Sequence, residues 1–136
     1  MKLSTHLSFD GNCEEAFRFY EKCLEGKIEV IMSYGDSPMA NQVPPDWKKR
    51  VLHANLIIEG QNLMGADAPP GKFRQPHGFA VAVSLADPAK AERIFNGLAD
   101  KGEIQMPLQQ TFWATKFGML IDRFGTPWMI NCAQAG

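Results

Sequence analysis

His6, His53 and His77 are the three imidazoles of this 136-residue chain, and Cys13, Cys23 and Cys132 its three thiols. These are the side chains able to act near neutral pH as general bases, nucleophiles or ligands for a borderline metal ion. Their spacing points to no assembled centre. The cysteines form no CxxC pair, and three thiols leave one over in any disulfide scheme. No Ser-His-Asp set can be argued. Asp67 and Asp122 are the acids that flank strand ends near the expected pocket, and nothing in the pattern places either on a histidine. Cys13 falls in the first turn of an expected helix, where the helix dipole lowers a thiol pKa, but a structural rather than a reactive cysteine is the expectation there. His77 lies between Pro76 and Gly78 and is expected to be exposed.

The elements that must position these groups follow from periodicity. Leu3 to Phe9 alternates, with Leu3, Leu7 and Phe9 on one face and Ser4, His6 and Ser8 on the other, as in a half-buried strand. Asn12 with Glu15 reads as a capping box opening a helix, whose apolar stripe is Ala16, Phe19, Tyr20 and Cys23. Gly26 is expected to end that helix in a left-handed conformation. "KIEVIMSY" is a strand, residues 35–49 a loop, and "RVLHANLIIE" with "NLMGAD" a pair of strands joined across Gly60 and Gln61.

The second half repeats this order at an offset of about 75 residues. "GFAVAVSL" is a strand. A helix follows, with Asp87 as N-cap, Pro88 at its first position, Gly102 at its end and Ile94, Phe95, Leu98 and Ala99 as its buried stripe. "EIQMPL" is a strand, "QQTFWAT" a loop, and "KFGMLID" with "PWMIN" a closing hairpin. The reading is one α+β domain over 1–136: a βαβββ module over about 1–67, a linker over about 68–77 and a second module over about 78–136. Alternation turns His53, Asn55 and Ile57 away from the helix in module one. It leaves Met129 and Asn131 on the corresponding face of the last strand, with Trp128 and Ile130 against the helix. Asp122 and Arg123 are expected to orient the hairpin turn, with a salt bridge.

Composition limits the partners. At 45% hydrophobic and 21% charged, with a formal charge of −1, the chain has no global attraction for nucleic acid or an anionic membrane surface. Lys48, Lys49 and Arg50 are too short a basic run to change this. No apolar run nears the roughly 20 residues that span a bilayer, and the first ten residues lack the pattern of a signal peptide. A reduced, cytoplasmic protein is expected.

"LSFDGNCEEAFRFYEKCLEGKI", "VLHANLIIEGQNLMGADAPP" and "TFWATKFGMLIDRFGTPWMIN" resemble the vicinal oxygen chelate superfamily, the glyoxalase and bleomycin-resistance fold, and within it the PhnB-like branch. The resemblance covers nearly the whole chain. It implies paired βαβββ modules forming a curved mixed sheet around a cavity, and a homodimer. Chains of this branch are often described as ubiquinone-pathway methyltransferases. No Gly-rich loop here follows a strand and opens a helix, as a nucleotide-like cofactor would need, and no cofactor is expected.

In metal-dependent members, the first and last strands of each module supply His or Glu ligands. Carried across, these positions fall at His6, at Met64 or Gly65, at Phe79 or Ala80, and at Met129. Thioethers are poor ligands for hard or borderline divalent ions, so no metal site is expected. Met64 and Met129 read as flexible apolar pocket lining rather than as a copper(I) pair. The candidate ligand-binding set is His6, His53, Asn55, Met64, Trp113, Met129 and Asn131. Phe112 and Trp113 read as plain packing, a lid or a dimer contact. The expected function is binding of a small molecule whose identity the sequence does not disclose. The alternative is an enzyme of lyase, isomerase or dioxygenase type, using a displaced metal or a histidine base.

Overall fold

A computed structural model describes residues 1–133. The last three residues assigned to module two lie outside the described residues. The chain divides into two compact units, Met1–Arg74 and the unit beginning at Gln75.

In the first unit, β1 (Thr5–Phe9) leads to α1 (Cys13–Cys23), then β2 (Lys27–Ser33), β3 (Val51–Ile58) and β4 (Gln61–Asp67). The sheet order is β1-β4-β3-β2, with β1 parallel to β4 and the other pairs antiparallel. Glu59 and Gly60 both take positive φ (48° and 77°) in the two-residue turn between β3 and β4, the turn whose twist matches that of antiparallel strands. α1 buries Cys13, Ala16, Phe17 and Tyr20, at the helical spacing of one apolar face. The rings of Phe9, Phe17 and Tyr20 pack at centroid distances of 5.9–6.4 Å. Gly65 of β4 sits under Phe17, where an added Cβ would lie 2.6 Å from the ring.

The second unit has the same plan: β5 (Val81–Leu85), α2 (Pro88–Ala99), β6 (Glu103–Gln109), β7 (Ala114–Ile121) and β8 (Pro127–Ala133), in sheet order β5-β8-β7-β6. Asp87 caps α2 as expected, its carboxylate accepting from Ala89 N at 3.0 Å. Ala91, Ile94, Phe95 and Leu98 are buried. The result is an α+β architecture of two helices and two four-stranded mixed sheets.

Several local expectations need correction. Leu3 is outside β1 and exposed, because β1 begins only at Thr5. Phe17 replaces Phe19 and Cys23 in the buried stripe of α1, and Ala99 of α2 is half-buried. Neither helix ends on a left-handed glycine. Glu25 (φ 55°) and Lys101 (φ 60°) adopt that conformation instead, one residue earlier. Gly26 and Gly102 are required by close approach: a Cβ would lie 2.7 Å from the Ile58 side chain at Gly26, and would collide with the Ile121 carbonyl at Gly102.

Two buried carboxylates tie the turns to the sheets. The Asn12 side chain makes no capping bond. The work falls to Asp67, where Oδ1 accepts from Gly11 N (2.9 Å) and Cys13 N (3.0 Å), and Oδ2 from Val51 N (2.8 Å). In the second unit Asp122 Oδ1 accepts from Phe124 N (2.8 Å) and Thr126 N (3.0 Å), and Oδ2 from Trp128 Nε1 (2.8 Å). Asp122 therefore orients the hairpin turn. Arg123 pairs elsewhere, with Asp100 at 2.8 Å.

Candidate functional site

Each sheet covers one face with its helix and presents the other. Side chains alternate along a strand, and cross-strand partners share a face, so register identifies what the open faces carry. In the first unit Leu7 and Phe9 are buried and His6 and Ser8 are exposed. His6 lies beside Met64, and Met64 beside Asn55. The next rung places Ala66 beside Ser8 and pairs His53 with Met32. His6, His53, Asn55 and Met64 are therefore on one face of one sheet. Gly65 points to the helix, which resolves the Met64-or-Gly65 ambiguity in favour of Met64.

Asn55 is 7% exposed. Its Nδ2 donates to Glu29 Oε1 (3.0 Å) and Asn62 Oδ1 (2.8 Å), while its own Oδ1 is buried without a partner. A buried carbonyl oxygen in that state costs about 1–3 kcal/mol unless a donor reaches it. Glu29 and Asn62 were missed by periodicity. Glu29 sits at a register shift between Ile28 and Val30, and such a bulge breaks the alternation on which the sequence reading rests.

Partial desolvation at the base of the exposed ring lowers the pKa of His6, charge on His53 lowers it further, and a backbone hydrogen bond at His6 opposes both. His6 is thus held neutral at pH 7. Because the folded pKa lies below the unfolded value near 6.5, protonation favours the unfolded chain, and stability declines as pH falls below about 6.5. We expect the His6 imidazole resonances to titrate below pH 6.5 in an NMR pH series, and to move up in His53→Gln. An unchanged midpoint in that variant would show that the two rings do not interact.

In the second unit Met129 pairs with Ala82 on one side and Met119 on the other, and Asn131 pairs with Ser84 and Phe117. Trp128, Ile130 and Cys132 are buried, while Met129 and Asn131 are half-buried. Asn131 Oδ1 is buried without a partner. Trp113 is 48% exposed and meets Phe117 and Phe112 edge-on at 5.3 and 4.6 Å. Phe112 is exposed. Phe79 and Ala80 precede β5, so the position beside Met129 is Ala82 and the earlier placement is corrected.

The paired first and last strands therefore carry His6 with Met64 in one unit and Ala82 with Met129 in the other. Neither the imidazole and thioether of the first unit nor the thioether and methyl group of the second fits Mg²⁺, Ni²⁺ or Zn²⁺, which need oxygen, nitrogen or thiolate donors. Among the described residues no three His, Cys, Asp or Glu side chains group as a metal site. Asp67 and Asp122 are occupied by the backbone and indole donors above. Cys13 is fully buried, and burial pushes its thiol pKa up, reinforced by the carboxylates of Asp67 and Glu14. A buried neutral thiol is a poor nucleophile. His77 is exposed.

The loops at the helix N-termini offer no glycine-rich cradle. Gly11 is the one glycine between β1 and α1, and the Arg50 guanidinium lies over it, donating to its carbonyl at 2.7 Å. Between β5 and α2 stand Ala86 and Asp87. Among the described residues no helix is long and apolar enough to cross a membrane.

Comparison with known proteins agrees with this architecture. A family described as 3-demethylubiquinone-9 3-methyltransferase matches residues 1–131. Protein YjdN of Escherichia coli K12 is 36% identical, covering 98% of this chain and 97% of its own. Protein PA1353 of Pseudomonas aeruginosa is 42% identical with a TM-score of 0.90, covering 98% of each chain. The PhnB protein of Bacillus cereus is 28% identical with a TM-score of 0.81, covering 98% of this chain and all of its own. At the level of fold alone, a glyoxylase/bleomycin resistance protein/dioxygenase domain from Frankia superposes with a TM-score of 0.66 at 13% identity, covering 98% of each chain. The chain thus belongs to the 3-demethylubiquinone-9 3-methyltransferase family, is similar to a PhnB protein, and has the glyoxalase/bleomycin-resistance fold.

Proposed function

We propose that this protein binds a small molecule on the open sheet faces without using a divalent metal. The observation that carries the reading is the register of the paired strands: His6 with Met64, and Ala82 with Met129. The side chains present are imidazole, amide, thioether and aromatic, a mixed lining suited to a ligand with polar and apolar parts. The buried unpartnered oxygens of Asn55 and Asn131 favour a ligand that brings hydrogen-bond donors. The candidate contacts are His6, His53, Asn55 and Met64 on the face of the first unit, and Trp113, Met129 and Asn131 in the second.

A thermal-shift screen of small metabolites and drugs tests this directly. A hit is expected to raise the melting temperature, and a ligand at 100 times its Kd stabilises by about 2.7 kcal/mol. Asn55→Leu should abolish the shift while the protein stays folded. Stoichiometric transition metal in mildly purified protein, with ligand binding lost on its removal, would overturn the metal-free reading.

A second reading is catalysis with His6 or His53 as general base. It is favoured by the neutral state in which partial desolvation and His53 hold the His6 ring, since only the neutral imidazole accepts a proton. Methyl transfer has no comparable support from the residues. We also infer a homodimer, consistent with exposed Phe112, Trp113, Phe79 and Ile104. Sedimentation at micromolar concentration should give twice the 15.1 kDa chain mass, and a monomer there would refute it.

A further inference from the structure

Strands β6, β7 and β8 place three thioethers side by side. Met106 pairs with Met119 between two register shifts of β6, and Met119 pairs with Met129 on the face opposite α2, so the three are neighbours across one row. Each is half-buried. The row ends at Ala82, the other partner of Met129. Directly opposed residues in antiparallel strands hold their Cβ atoms about 4.5–5.5 Å apart. A methionine side chain has three torsions with which to swing its sulfur toward a neighbour. Met106 and Met129 can thus lean over the central Met119, bringing three sulfurs to one point.

We propose that this row is a binding site for a soft monovalent ion, copper(I), for which silver(I) is a redox-inert probe. Neutral, polarisable thioethers favour such ions and discriminate against the hard and borderline divalent ions. The row itself holds no carboxylate, imidazole or thiol. Cys132 lies on the opposite face, its Sγ 3.5 Å from the Ala86 carbonyl. A singly charged, weakly hydrated ion also loses less on entering a half-buried site than a divalent one. Phe117, on the same face one rung from Met119 and paired with Asn131, adds a ring near the ion. The row shares Met129 with the small-molecule reading and rests otherwise on Met106 and Met119, which that reading does not use, so Met106→Leu and Met119→Leu test it separately.

The test is a silver(I) titration of the full chain carrying ¹³C-labelled methionine methyls, followed by NMR. One equivalent should move the resonances of Met106, Met119 and Met129 together and leave Met32 and Met64 in place. Met119→Leu keeps the volume, and should weaken binding at least tenfold. Met106→Leu serves as the second variant should the first not fold. Copper(I) under reducing conditions, measured by competition with a chromogenic chelator, should show the same order of affinities. The proposal is overturned if the three methyls stay in place, if Met119→Leu binds as well as the parent, or if Cys23→Ser abolishes the response.

Discussion

Asp67→Ala is expected to destabilise the protein by at least about 3 kcal/mol, enough to be seen as a large fall in the urea midpoint or a loss of soluble expression. The carboxylate is 1% exposed and accepts three backbone N–H bonds, from Gly11, Cys13 and Val51. Hydrogen bonds to a charged group are worth about 1.5–3 kcal/mol each, and a buried donor left unpaired costs about 1–3 kcal/mol. Partial relaxation and water entry reduce the sum, but typical total stability is only about 5–15 kcal/mol. The bonds also join three places: the turn after β1, the first residue of α1 and the first residue of β3. The Tyr34 hydroxyl donates to the Asp67 carbonyl at 2.8 Å, adding the end of β2. Asp67→Asn should recover part of the loss, because one amide oxygen can still accept. A change below about 1 kcal/mol for Asp67→Ala would mean that the helix start is held by something other than this carboxylate.

Asp122→Ala should cost a similar amount for a related reason in the second unit. Asp122 is 3% exposed and accepts from Phe124 N, Thr126 N and the indole Nε1 of Trp128, itself 1% exposed. The alanine removes an acceptor from the indole within the core. It also frees the turn that sets the register of β7 against β8, and a one-residue slip there would exchange the faces of Trp128 and Met129. The diagnostic readout is Trp128 fluorescence, compared with a Trp128→Phe variant. Trp128→Phe removes the donor and should cost less than Asp122→Ala, since one carboxylate oxygen loses this partner while Phe124 N and Thr126 N keep their acceptor. Equal losses would argue that bulk packing of Trp128, rather than the carboxylate network, stabilises the turn.

Local periodicity and end signals carried the element order. Both βαβββ units, the Asp87 cap with Pro88 behind it, and the assignment of Trp128 and Ile130 to the helix side were legible from the chain alone. The faces of His6, His53, Asn55 and Met129 followed from the same alternation, because a strand's period of two needs no knowledge of its neighbours. Alternation failed where the backbone departs from it, at the register shift beside Glu29 and at Leu3 before β1 begins, and the positions carried across from the resemblance missed at Phe79 and Ala80, which lie ahead of β5.

What only the tertiary structure decided was which residues are neighbours. Asp67 lies 54 residues from the Cys13 amide that it caps, and Asn12, the local candidate, makes no such bond. Gly26 and Gly102 stand just past their helices, but the left-handed conformation expected at Gly26 belongs to Glu25, as it does to Lys101 in the second unit, and the glycines are there because another strand's backbone or side chain comes too close for a Cβ. The methionine row is the clearest case, since Met106, Met119 and Met129 share no spacing and meet only through register. A side chain's face is a property of its own strand. Its partners depend on hydrogen-bonded pairing between strands, and the sequence near any one residue does not contain that pairing.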